Sequence, residues 1–206
     1  MIRLEGSELR ADEGIVFDRK LQWFAVLEGA HPSYDTRELI YRYISVPEWI
    51  PVYQTAEYAA LTKVSPILLK LEEPQDWHVK WVTLFPGLSS SYLATNQSME
   101  CVAEHLQTLS SVGVEKGGEA IFRFHDSWIM SSLYSALSES DRGKLHGPIN
   151  KWLWVRGNRF EESENRGYNP TEGLSLEPGW LTLDREKQDA IYEGIVAKRT
   201  WKESQQ

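Results

Sequence analysis

Gly117-Gly118-Glu119-Ala120-Ile121-Phe122-Arg123-Phe124-His125-Asp126-Ser127-Trp128 is the stretch on which the reading of this chain turns. A glycine pair closes what precedes it, and a short apolar run follows. Asp126 or Ser127 can then accept from the free amides of a first helical turn. Behind them Ile129, Leu133, Ala136 and Leu137 recur at helical spacing. The stretch therefore reads as turn, buried strand, sharp junction and helix. An arginine inside such a strand demands a carboxylate partner, because an unpaired buried charge is costly. Arg123, His125 and Asp126 are the first candidates for a site, and equally for a structural knot.

Working outward, Leu21–Ala30 reads as a buried strand closed by Gly29 and Pro32. Ile15-Val16-Phe17 reads as a short edge strand. Asp35 with Glu38 three residues on has the form of a capping box before a short helix that Pro47 ends. Pro51 marks Trp49–Tyr53 as an edge or irregular segment. Glu57–Leu61 suggests a helical turn or two, and Pro66–Leu71 a second buried strand. Trp77–Phe85 fits both helical and strand spacing. Leu88–Thr95 is a strand, and Ser98 caps a helix carrying Met99, Val102, Leu106 and Leu109 on one face. Ser138–Arg142 starts a further helix, Leu145–Ile149 is a turn, and Trp152–Val155 is the last strand. Residues 156–179 have the composition of a surface loop. A final helix starts near Thr182 or Asp184, and Gly194 weakens it by about 1 kcal/mol relative to alanine. The expected fold is α/β, with α+β the alternative: a layered mixed sheet with flanking helices and a small C-terminal helical appendage. Residues 1–155 form the main lobe and 156–206 a short C-terminal one.

Composition narrows the class. A chain of 206 residues with 41% apolar content can bury a sizeable core. A net charge of −8 without a basic run is unfavourable for binding nucleic acid or an anionic membrane surface. Cys101 stands alone, which excludes an internal disulfide and a cysteine-based zinc site. Neither an apolar signal core after Met1 nor a membrane-length apolar run is evident, so a cytoplasmic location is expected. Nine tryptophans stand out, because this residue serves cores and contact hot spots alike.

The search for chemistry finds few constellations. Neither standard glycine-rich phosphate loop occurs, nor a zinc-protease helix motif. Gly87-Leu88-Ser89-Ser90-Ser91 lacks the closing glycine of a nucleophile elbow. Cys101 and His105 are four apart, but they sit on a routine amphipathic helix and read as core. His125-Asp126 is the best catalytic-looking pair. On a strand, however, adjacent side chains point to opposite faces, so the pair reads better as a buried ion-paired arginine followed by a helix cap. Glu72-Glu73 and Glu161-Glu162 read as solvated loop charges, with an acidic docking surface the alternative. No cofactor or metal is expected.

Four pieces, in this order, resemble the type VI secretion effector-chaperone, or adaptor, family. They are Phe24–Ala30, Ser65–Leu71, Ile121–Trp128 and Leu145–Trp152. The family pattern in the third is Arg-Phe-aromatic-Asp-Pro, here Arg123, Phe124, His125, Asp126 and Ser127; the fourth carries Gly147-Pro148-Ile149. Glu28 stands where the family usually has Asp. The resemblance covers about residues 20–155 and implies a non-enzymatic cytoplasmic chaperone of bacterial toxin delivery. Such a protein binds a toxic effector and helps load it onto the spike protein VgrG, and its C-terminal lobe is associated with cargo choice. Arg123, Phe124, His125, Asp126, Gly147 and Pro148 are then structural motif residues. Trp152, Trp154, Trp180 and Trp201, around the junction with the tail, are candidate partner contacts. The competing classes are a carbohydrate- or small-ligand-binding module and an unrecognised hydrolase using Arg123, His125 and Asp126.

Overall fold

The computed structural model describes residues 15–31, 34–54, 56–84, 90–115, 117–157, 159–165 and 176–205. Its centre is a six-stranded sheet in the order β2-β3-β1-β4-β7-β8, antiparallel at every pairing. The strands are β1 (Gln22–Leu27), β2 (Trp49–Pro51), β3 (Ile67–Leu71), β4 (Ser90–Thr95), β7 (Lys151–Arg156) and β8 (Arg159–Glu164). A smaller sheet joins β5 (Ser111–Val114) to β6 (Glu119–Ile121) antiparallel and to β9 (Gly179–Leu183) parallel. The helices are α1 (Thr36–Tyr43), α2 (Pro74–Leu84), α3 (Met99–Thr108), α4 (Ser127–Ala136), α5 (Glu139–His146) and α6 (Arg185–Ser204), with a 3₁₀ helix over Ala56–Val64.

The central strands read as unbroken apolar runs because both faces of the sheet are covered. Trp23, Ala25 and Leu27 of β1, with Ile67, Leu69, Tyr92 and Leu153, meet Leu39 and Ile40 of α1 and Trp77 and Trp81 of α2. Phe24 and Val26, with Leu68, Leu93, Trp152 and Trp154, meet α3, α4 and the small sheet. The result is a mixed helix–strand architecture in three layers, with the sheet in the middle. The dual spacing of Trp77–Phe85 resolves as helix. Trp77 and Trp81, one turn apart, stack at 4.9 Å and face the sheet; Phe85 lies outside the described residues.

Several boundaries agree with local chemistry. Asp35 caps α1 by accepting from the amides of Arg37 and Glu38, Ser98 caps α3, and Asp184 caps α6. Pro51 sits in an edge strand, where its missing N–H leaves no gap in the ladder.

Other expectations are corrected. Ile15–Phe17 is not a strand; Phe17 instead packs its ring edge-on against Trp23 at 4.7 Å. The strand of the opening stretch, β6, is only three residues long and exposed throughout, because it pairs solely with β5 at the margin of the small sheet. The burial belongs to the irregular segment after it, where Phe122 and Phe124 enter the core. The loop expected over 156–179 contains β8, which forms a hairpin with β7 across Gly157 (φ 59°), and the start of β9. The charges of β8 mark an edge strand: Glu162 and Glu164 both reach Lys151 across the register.

Gly194 is not simply a weakness in α6. A Cβ there would lie 2.4 Å from the Trp128 carbonyl oxygen, so the missing side chain is what lets α6 lie against α4.

Candidate functional site

The first three family pieces meet at one end of the main sheet. β1 ends there, β3 and β4 begin there, and β7 ends there. A Cβ on Gly29 would come within 1.8 Å of the Ser65 carbonyl oxygen, so the first piece ends in contact with the start of the second. Ser65 is buried; its hydroxyl accepts from the Tyr53 amide and donates to the Pro66 carbonyl. Glu28, beside Gly29, accepts from the Arg123 guanidinium at 2.5 Å. The expected carboxylate partner of Arg123 is therefore present. The expected burial is not: the Arg123 side chain is 51% exposed and Glu28 only 11%, because Arg123 emerges past the end of the sheet.

Asp126 is the buried member of this group. One carboxylate oxygen accepts from the Trp128 amide at 3.1 Å and so caps α4; the other accepts from Lys198 of α6 at 2.5 Å. The Asp126 side chain is 5% and that of Lys198 16% exposed, so the pair is screened little by solvent. Ser127 pairs hydroxyl to hydroxyl with Ser91 of β4 at 3.3 Å. His125 is buried, and its Nδ1 has no hydrogen-bond partner among the described residues. Burial pushes its pKa down to about 3; Arg123 lowers it further, Asp126 opposes, and Lys198 adds to the fall. The alternation assumed for a strand does not apply to residues 122–126, which turn through an Asp126 N–H···O Arg123 bond. Even so, His125 and Asp126 form no acid–base relay: the carboxylate is committed to a cap and a lysine, and the imidazole is neutral and enclosed.

The α6 seam continues alongside. Trp128 lies between Arg156, 5.6 Å over its ring, and Trp201 at 5.9 Å. Trp201 in turn covers Gly157, where a Cβ would meet its Nε1 at 2.5 Å. Glu161 is not a solvated loop charge: its side chain is 13% exposed and accepts from Arg156 and from Ser131 of α4. The sequence reading missed Lys198, Glu161 and the serine pair. The one signal for Lys198 was its position one turn after Gly194, on the same helical face.

The fourth piece lies at the opposite end of the sheet; Lys151 within it pairs with Glu162 and Glu164, while its turn, Leu145–Ile149, is held by neutral hydrogen bonds. His105 Nε2 donates to the Leu145 carbonyl at 2.8 Å, Thr95 donates to the Pro148 carbonyl at 2.6 Å, and Asn165 donates to that of Gly147. His146 Nδ1 donates to the Ile149 carbonyl, which leaves Nε2 to accept from the Ser163 hydroxyl at 3.0 Å. Burial lowers both His105 and His146 to about 4. Gly147 has φ 49°, and a Cβ would strike the His105 ring at 2.4 Å. Cys101 and His105 form no thiolate pair, since the imidazole is committed to Leu145 and burial raises the thiol pKa.

The four tryptophans divide. Trp152 and Trp154 are fully enclosed, their rings 5.8 Å apart in the core, so the expectation that they face a partner is corrected: they alternate onto the inner face of a strand covered by α4. Trp180 and Trp201 are half-buried, Trp180 with Lys144 5.8 Å over its ring. Among the described residues no group of three or more His, Cys, Asp or Glu side chains is arranged to hold a metal ion, and no helix is long and apolar enough to cross a membrane.

The fold and these junctions define a three-layer scaffold whose distinctive residues hold its elements together. Residues 23–144 match the family described as Domain of unknown function (DUF4123), and the chain belongs to that family. The Gly147-Pro148 piece lies just beyond the matched span. No match is found among curated proteins or among solved structures.

Proposed function

We propose that the chain is a cytoplasmic, non-enzymatic chaperone that binds a type VI secretion effector and helps load it onto the VgrG spike. The observation that carries this reading is the use made of the reactive side chains. Arg123, Asp126 and Lys198 spend their charges on one another's neighbourhood and on Glu28, while His125 is enclosed. That is the economy of a binding scaffold, in which polar groups fix elements rather than face a substrate. Family membership over residues 23–144 and the four sequence pieces support it. On this reading residues 156–206, which supply β8, β9 and α6, adapt the scaffold to its cargo.

Co-expression of the tagged chain with the products of its neighbouring genes tests the reading. The expected result is co-purification of a toxin and, with VgrG added, a ternary complex. A folded chain that captures neither overturns it. Trp180→Ala and Trp201→Ala sharpen the test, since these two tryptophans retain some exposure, and reduced capture without unfolding would place them in the contact.

A further inference from the structure

The inner face of α6 is fully used: Gly194, Lys198 and Trp201 meet α4 and the β7–β8 turn. Its outer face is not. Tyr192 is 67%, Ile195 41% and Val196 40% exposed, an apolar patch midway along a helix about 30 Å long. Charges flank the patch in a particular order. Along the outer stripe, at three- and four-residue spacing, Asp189 and then Arg185 follow Tyr192 toward the N-terminus, and Arg199 and then Glu203 follow Val196 toward the C-terminus; exposed Glu186, Glu193 and Lys202 lie to the sides of this stripe. All four are exposed, and among the described residues Arg185 and Asp189 pair with each other at a loose 3.9 Å.

This order is self-complementary when a second copy runs antiparallel. About a two-fold axis opposite Gly194, Tyr192 falls against Val196 of the other copy, Asp189 against its Arg199, and Arg185 against its Glu203. Each pair is symmetric about Gly194 and so occurs twice. A parallel partner would lose the match, and a two-fold contact requires one patch to complement itself. We propose that α6 is a dimerisation helix, packing antiparallel on α6 of a second copy of this chain. A single helix pair is a small interface, so the dimer is a weak one. The proposal stands independently of the chaperone reading.

Sedimentation velocity of the full chain across the micromolar range tests it. The wild type should shift from monomer to dimer with concentration. Val196→Glu should remain monomeric, with its circular dichroism unchanged. Asp189→Arg alone and Arg199→Glu alone should each weaken the dimer about tenfold or more, because like charges then oppose each other across the axis. The double variant Asp189→Arg, Arg199→Glu should regain it, because both partners are swapped together. A wild type that stays monomeric overturns the proposal, as does a dimer indifferent to Val196→Glu or a double variant no better than the singles.

Discussion

Two junctions at opposite ends of the main sheet, the Arg123–Asp126 knot and the Gly147-Pro148 turn, are fastened by opposite chemistry. At one end Glu28–Arg123 and Asp126–Lys198 join elements far apart in the chain through charge. At the other, His105, His146, Thr95, Ser163 and Asn165 hold the Gly147-Pro148 turn through neutral hydrogen bonds. Each fastening tolerates a different insult. A buried ion pair is costly to desolvate and fails badly when one partner is removed. Neutral imidazoles bonded to carbonyls desolvate cheaply, but they fail when acid protonates them. The charged end is also where α6 docks, so it secures an element contributed from the last part of the chain. The neutral end ties a turn to the helix and strands around it.

Acid should produce the largest effect. His105 and His146 sit at about 4 in the folded chain against an ordinary 6.5, and His125 at about 3. Below 6.5 the unfolded chain therefore binds more protons than the folded one, and stability falls as pH drops from about 6.5 towards 4. Each tenfold difference in proton affinity is about 1.4 kcal/mol. Three such groups can consume a domain stability of about 5–15 kcal/mol. Urea unfolding followed between neutral pH and pH 4 should show this steep limb, and His146→Gln should flatten it. A flat profile would mean that these imidazoles are not enclosed.

Lys198→Met comes next and isolates the charged end. It leaves the Asp126 carboxylate buried without its lysine, an expected loss of about 3–5 kcal/mol in thermal or urea unfolding. Adding Asp126→Asn should recover much of that loss, because asparagine still caps α4 while the stranded charge is gone. If the double variant is as weak as the single, the seam is held by packing instead.

The smallest effect concerns how α6 reaches that end. Gly194→Ala raises helix propensity by about 1 kcal/mol, yet should destabilise by about 1–3 kcal/mol, because the new Cβ meets the Trp128 backbone. A stabilised variant would show that α6 lies farther from α4 than described.

Much of the scaffold was legible along the chain. The buried strands over β1 and β3, the caps at Asp35, Ser98 and Asp126, and the edge position of Pro51 follow from apolar runs, side-chain acceptors and a missing N–H. These are local properties and need no partner. β8 was hidden for the opposite reason. Its Glu-rich sequence looks like solvated loop until Lys151 and Arg156 of β7 lie beside it.

The candidate site divides in the same way. The carboxylate requirement of Arg123 was set by its own charge, and the cap before the helical period was narrowed to Asp126 or Ser127; the structure gives it to Asp126. That the carboxylate is Glu28, and that Asp126 also takes Lys198, are long-range facts no local pattern encodes. Trp152 and Trp154 are core rather than contact because of which face of β7 they occupy and because α4 covers that face. The buried central strands, most helix caps and the need for paired charges were already set by the sequence, since these arise from backbone geometry and desolvation within a few residues. Only the tertiary structure decided the sheet order, the docking of α6 through Gly194 and the sorting of tryptophans between core and surface, because those depend on which distant faces exclude water together.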